Sequence, residues 1–209
     1  MKKLLLLSGI ILALSFAGNT QNTASDIYKA DHVTWYGLDF SNVKLVGSAG
    51  FTNPSDIKYR FFKAWNGLFM SEPDKYNVAK FFHLNSVKND ISIVSERNEL
   101  PDVDELVVEN SYSFDKEKVK SIIAEYNTAG NEGIGLVFIM ESFNKYDEQG
   151  YIWVTFFDIA TKEVLHTEHF GGKPGGFGIR NYWARSYYNV MVYIDRSVVK
   201  RWKKEFQSN

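Results

Sequence analysis

Cysteine is absent from all 209 residues of the chain. Its absence excludes disulfides and thiolate metal sites, and also the lipid attachment of a bacterial lipoprotein, which needs a cysteine directly after its signal sequence. An excess of charge of either sign is missing as well: the net charge is −1, and 22 basic against 25 acidic side chains remain without Lys2 and Lys3. This near-neutral balance argues against nucleic acid as a partner.

Sequence signatures of catalysis and of nucleotide binding are also missing. The chain has no Gly-x-Ser-x-Gly elbow and no Ser-x-x-Lys at a plausible helix start, so nucleophilic catalysis has no support. Lys173 is followed by Pro174, so the glycines before it do not form a P-loop. Asn181 stands where a dinucleotide fingerprint needs its third glycine. We therefore predict no catalytic residues, no cofactor and no metal.

The amino-terminal residues have the composition of an export signal. Lys2 and Lys3 are basic, residues 4–14 are almost wholly apolar, and small residues surround Ala17. This pattern predicts a signal peptide over residues 1–17, cleaved after Ala17, in a periplasmic or extracellular protein. An uncleaved anchor is the alternative, but the apolar run is shorter than the roughly 20 residues of a membrane span, so no stable membrane anchor is expected. Residues 18–31 are polar and predict a flexible leader.

Residues 32–209 predict a single α/β domain, because no internal linker or repeat interrupts them. Residues 33–46 indicate a bent strand or a hairpin, residues 87–94 a strand, and residues 106–108 a short edge strand. Three strongly apolar strands follow, over residues 134–143, 151–159 and 163–170. Their short polar connections favour an antiparallel meander.

Helices are predicted at three places. Asn53 and Pro54 form a helix start, residues 115–126 show a capped amphipathic pattern, and residues 179–206 carry apolar side chains at steps of three or four. The fold class is α/β (α+β): a mixed sheet of five to six strands with a C-terminal antiparallel meander, covered by three long helices.

Five of the eight residues from Gly171 to Gly178 are glycines, directly before the last predicted helix. Free N–H groups and the positive dipole end favour anions at such a helix start, and Lys173 and Arg180 add charge. The candidate ligand-binding residues are Lys173, Arg180, Asn181, Tyr182 and Trp183. The alternative is a structural crossover, in which glycine lets the backbone pass close to these aromatic rings.

Two further groups of polar residues suggest chemistry and have simpler explanations. His166 and His169 point to opposite faces of a strand, so they do not chelate one ion together, whereas Glu168 shares a face with His166. Glu141 and Asp158 lie near the ends of adjacent strands and could form the carboxylate pair of a glycoside hydrolase. Asp158 is explained more simply as the residue that closes the following turn.

Residues 153–165, a strand with an Asp/Thr turn and a returning strand, are similar to a hairpin of small periplasmic α/β proteins. These include the amino-terminal domain of TolB, LpoB-like activators of peptidoglycan synthases and the periplasmic domain of CsgG. Residues 37–41, 65–69 and 176–184 also resemble an exported bacterial family without an assigned function. The resemblance implies an envelope protein that binds another macromolecule, although LpoB and CsgG have the anchor cysteine that this chain lacks.

The sequence thus predicts an exported cell-envelope protein that acts as a non-enzymatic interaction or accessory module. Its expected partner is another envelope protein or a glycan. The alternative is a protein that binds a small anionic ligand or a glycan through residues 171–183.

Overall fold

The sheet is built around one central strand, β5, because its eleven residues are apolar enough to be buried on both faces. The computed structural model describes residues 21–128 and 130–207, and within them seven strands form one mixed sheet. The strands are β1 (Val33–Asp39), β2 (Lys44–Val46), β3 (Val87–Asn89), β4 (Val107–Val108), β5 (Ile134–Asn144), β6 (Gln149–Asp158) and β7 (Val164–Gly172).

Most strand pairs are parallel. β1 lies between β3 and the first half of β5, and β2 lies between β4 and the end of β5, all in parallel pairs. β6 runs antiparallel to β5, and β7 runs antiparallel to β6. β1 and β2 thus follow each other in one direction along the same edge of β5, so the hairpin alternative for residues 33–46 is wrong.

Five helices cover the described part of the sheet, rather than three. They are α1 (residues 54–71), α2 (Val78–Phe82), α3 (Ser92–Arg97), α4 (Lys116–Ala124) and α5 (residues 179–207). α1 and α5 each contain one π-helical stretch, at Ile57–Phe61 and Ile194–Val198. Asn53 caps α1 by accepting a hydrogen bond from the Asp56 N–H at 3.1 Å, with Pro54 in the first turn, so the predicted start of this helix is confirmed.

Residues 87–94 do not form the single strand that their alternating pattern predicts. β3 ends at Asn89, and the Asp90 carboxylate then accepts hydrogen bonds from the N–H and the hydroxyl of Ser92, which begin α3. Ile93 and Val94 are buried on the inner side of that helix. A short apolar run fits both periodicities, and here the Asp90 side chain favours the helix. The sheet reaches seven strands because the short strands β2 and β4 also pair.

The two faces of the sheet are covered by different helices. α3 and α4 cover one face, where Tyr36 and Tyr126 pack with Val137. α1, α2 and α5 cover the other, around Trp35 and Phe138. Six of the seven predicted core positions of α5 are buried there, and Ile179 is partly buried against the same core; the six are Trp183, Tyr187, Val190, Ile194, Val198 and Trp202.

Residues 21–31 are not the flexible leader that their polar composition predicts. Ile27 is buried in the core, and the ring of Tyr28 stacks on Phe206 with centroids 6.0 Å apart. Asn22 donates two hydrogen bonds, of 3.0 and 2.8 Å, to the Asp158 carboxylate. The predicted signal peptide and its cleavage site lie outside the described residues. None of the helices in the described ranges has the length and apolar character needed to cross a bilayer.

Candidate binding cavity at the glycine-rich segment

The glycine-rich segment is fastened to α5 at its base and is open at its tip. A β-carbon at Gly172 would collide with the carbonyl oxygen of Ser186, so only glycine allows β7 to end against this helix. The Asn189 side chain donates a hydrogen bond of 2.8 Å to the Lys173 carbonyl, and the Gly175 N–H donates one of 2.9 Å to the Tyr182 carbonyl. The segment therefore has the close passage expected of a structural crossover.

The same segment also forms one wall of a cavity of about 750 Å³. The first turns of α5 form the second wall, and residues 72–76, which follow α1, form the third. Gly178 occupies the N-cap position with φ of 78° and has no side chain to cap the first N–H groups of the helix. The cavity is lined by Glu72, Lys75, Tyr76, Lys173, Pro174, Gly175, Gly176, Phe177, Arg180, Asn181, Arg185 and Asn189.

Among the described residues, four cationic side chains and a single carboxylate, Glu72, line this cavity. Glu72 lies 3.2 Å from the Lys75 ammonium and 3.7 Å from the Arg180 guanidinium. Neither Lys173 nor Arg185 forms an ion pair with another described residue; Arg185 lies over the Tyr188 ring, 5.3 Å from its centroid. The lining therefore has a surplus of three positive charges, which favours an acidic group in the cavity.

Burial disfavours the charged form of Lys75, but the hydrogen bond that it donates to Glu72 and its contact with Tyr76 raise the pKa of Lys75 overall. Lys75 thus stays protonated across the physiological pH range. Tyr76 lies against the base of the cavity, and burial is the main reason that its own pKa is raised.

The five candidate residues of the sequence separate into three environments. Lys173, Arg180 and Asn181 line the cavity. Tyr182 lies beside a neighbouring hollow of about 260 Å³, where its hydroxyl accepts a hydrogen bond of 3.1 Å from Lys145. Trp183 is only 1% exposed and stacks on Phe143 with centroids 4.7 Å apart, so it belongs to the core.

Sequence reasoning missed several cavity residues, for two reasons. Arg185 and Asn189 follow Asn181 at steps of four, which places all three on one face of α5, so the helical period could have found them. Glu72 and Lys75 lie about 100 positions away in sequence from the glycines. They reach the cavity only through the packing of α1 against α5, for which the local sequence has no signal.

Glu141 and Asp158 do not form the carboxylate pair of a hydrolase. Asp158 is the partner of Ile134 at one end of β5, whereas Glu141 lies near the other end. Seven residues of strand at about 3.3 Å each separate them by roughly 23 Å, well beyond the separation that glycoside hydrolases use. The Asp158 carboxylate instead accepts hydrogen bonds of 2.8 and 3.0 Å from the N–H and hydroxyl of Thr161, which confirms its role in the turn.

The histidines of β7 lie on opposite faces, as the strand period predicts. His166 and Glu168 share a face, with a nitrogen–oxygen distance of 3.7 Å. His169 lies on the other face, 3.1 Å from the buried Glu141, whose carboxylate also accepts a hydrogen bond of 3.1 Å from the Trp153 ring. In residues 21–128 and 130–207 no three potential ligands are grouped to hold a metal ion.

Comparisons with protein-family models, with curated proteins and with solved structures gave no match to this chain. The resemblance to small periplasmic α/β proteins therefore stays a prediction from the sequence.

Proposed function

We propose that this chain is an exported, non-enzymatic binding module whose cavity beside the glycine-rich segment receives an acidic group of a ligand or partner. The observation that carries the proposal is the charge surplus of the cavity: four cations face one carboxylate, and two of the cations have no acidic neighbour in the described residues. Arginine and lysine at the start of a helix with free N–H groups are suited to carboxylates and phosphates.

The cellular setting belongs to the same proposal. Export to the periplasm or beyond is supported by the amino-terminal sequence pattern, and an envelope protein or glycan with acidic groups would be a suitable partner. The non-enzymatic part is supported by the separation of Glu141 from Asp158 and by the absence of nucleophile motifs from the sequence. The proposed role is therefore recognition rather than chemistry.

The test is calorimetric titration of the folded protein with two compact polyanions, inorganic pyrophosphate and citrate, at low and at physiological salt. We expect saturable binding of at least one of them, weakened by salt. The double variant Lys173→Ala/Arg185→Ala removes the two cations without an acidic partner, and we expect it to lower the affinity by about tenfold or more.

A matched control is available on the same helix. Arg196→Ala/Lys200→Ala removes two exposed cations about 16 residues further along α5, roughly 24 Å from Arg180. This control should bind like the wild type. Equal losses in the two double variants would mean that binding depends only on total charge, and no saturable binding by the wild type would refute the proposed function.

A variant that should raise the affinity provides a second test. Glu72→Gln removes the only carboxylate of the lining and leaves Lys75 and Arg180 without their acidic partner. We expect the affinity for the same polyanion to rise by roughly fivefold. A decrease would show that Glu72 organises the site rather than opposing the ligand.

A further inference from the structure

Phe177, at the tip of the glycine-rich segment, is the most exposed large apolar side chain in the described residues. It is 95% exposed, although the segment around it is anchored at Gly172 and Gly175. Its neighbours Gly176 and Gly178 have φ values of 102° and 78°, a backbone region that lets the tip turn outward and that other residues rarely adopt. These two glycines therefore hold the Phe177 ring in water. Leaving its apolar surface hydrated is unfavourable in free energy compared with burying it.

Cations surround this ring on two sides. Phe177 borders the cavity that contains Lys75, Lys173, Arg180 and Arg185, and it also borders the neighbouring hollow that contains Lys145. A single acidic group in the cavity would use the first four cations but would not account for the exposed ring of Phe177 or for the cation on its other side. A ring of cations around a protruding aromatic side chain instead complements a planar, negatively charged surface with an apolar layer beneath it.

We propose that the glycine-rich tip docks reversibly on an anionic lipid bilayer, with Phe177 inserted at the boundary between headgroups and acyl chains and the five surrounding cations on lipid phosphates. This inference rests on the proposed function, because the acidic group in the cavity is then a phosphate of a lipid headgroup. One aromatic ring and a few cations provide weak binding, so the contact is a reversible one and not an anchor.

The binding test is sedimentation of the protein with vesicles of phosphatidylcholine containing roughly one third phosphatidylglycerol, and with vesicles of pure phosphatidylcholine. We expect binding only to the anionic vesicles. Phe177→Ala should lower the partition coefficient by about tenfold, because the inserted ring contributes most of the apolar contact. The matched control is Leu100→Ala, which should bind like the wild type. Leu100 is another exposed apolar side chain, 65% exposed in the loop after α3.

Insertion itself is measurable by fluorescence, because all five native tryptophans are buried. Phe177→Trp adds one exposed tryptophan, whose emission should shift to the blue on anionic vesicles and should be quenched by brominated acyl chains. Wild-type emission should change little under the same conditions. An unquenched tryptophan at position 177, in protein that is bound to the vesicles, would overturn the inserted geometry.

The outcomes separate this inference from the proposed function. If Phe177→Ala binds pyrophosphate or citrate like the wild type but loses the vesicles, both proposals are supported. If the wild type binds the polyanions but does not bind anionic vesicles, the proposed function of the cavity is supported and the membrane inference fails. If it ignores vesicles but binds a soluble poly-glutamate peptide in a manner that depends on Phe177, the tip serves a protein partner and the membrane inference fails as well.

Discussion

The buried cluster around Asp39 has one basic side chain and the cavity beside Glu72 has four, and the two clusters differ in how many of these charges are paired. Asp39 is fully buried at the end of β1, where it accepts hydrogen bonds of 3.1 Å from Arg97 and 2.7 Å from the Tyr126 hydroxyl. Arg97 also donates to Glu125 at 3.1 Å. In the cavity, by contrast, Glu72 is the only carboxylate that the described part of the chain places against four cations.

The difference separates a structural role from a candidate functional one. A buried charge without a partner is strongly destabilising, so the cluster around Asp39 must be balanced if the fold is to be stable. Cations at the rim of an open cavity keep most of their hydration and can stay unpaired at little cost. Unpaired charge can therefore persist where solvent reaches it, and at such a place a ligand can reach it as well.

The largest effect is expected from breaking the buried cluster. Arg97→Ala leaves the Asp39 carboxylate buried without its cation and should lower the free energy of unfolding by about 3–5 kcal/mol, measured by urea denaturation. The double variant Asp39→Asn/Arg97→Ala removes the uncompensated charge and should be less destabilised than Arg97→Ala at neutral pH. If the double variant were the less stable of the two, the pairing would not be what Arg97 contributes.

His166 provides the second test, because it is a mostly buried group, with its side chain 19% exposed, that stays neutral. Its ring lies against Trp202 and Phe206, with centroids 4.9 and 4.8 Å away, and its Nε2 atom has no hydrogen-bond partner in the described residues. Burial lowers the pKa of His166 from 6.5 to about 4, in spite of the nearby Glu168 and Glu205 carboxylates.

The sign of its pH effect follows from that shift. The unfolded chain takes up this proton below about pH 6.5 and the folded chain only near pH 4, so the stability from neutral His166 is complete above pH 6.5 and is lost towards pH 4. The loss should reach at most about 3 kcal/mol relative to His166→Phe, measured as unfolding free energy against pH. The variant His32→Asn is the control. Parallel curves for wild type and His166→Phe would contradict the expectation.

A position could be predicted from the sequence where a local pattern determines it, and could not where it depends on tertiary packing. β5 and α5 have long apolar patterns that fit one periodicity, so their positions follow from composition alone. Residues 90–94 fit both periods, and the hydrogen bonds that the Asp90 carboxylate accepts from Ser92 favour a helix. Lys173, Arg180 and Asn181 reach the cavity because they are close together in the chain, whereas Glu72 and Lys75 depend on how α1 packs, which no local pattern records.

Within the glycine-rich segment, an added methyl group should lower the stability at Gly172, which lies against α5, more than at Gly175, which lines the cavity. Gly172→Ala places a β-carbon on the Ser186 carbonyl and should cost about 1–3 kcal/mol of unfolding free energy. Gly175→Ala would place it 3.7 Å from the Arg185 side chain, an ordinary contact, so its stability should stay close to that of the wild type. Chemical denaturation of both variants is the measurement, and equal costs would refute the assignment of Gly172 as the fastening point.

The smallest expected effect is also the one that completes the comparison. Lys173→Ala/Arg185→Ala removes two cations from the cavity, as Arg97→Ala removes one from the buried cluster, but neither Lys173 nor Arg185 has an acidic partner to leave unpaired in the described residues. Its unfolding free energy should stay within about 0.5 kcal/mol of the wild type, by urea denaturation at the same pH. A loss as large as that of Arg97→Ala would mean that the cavity cations hold the fold together, and their surplus would no longer indicate a ligand.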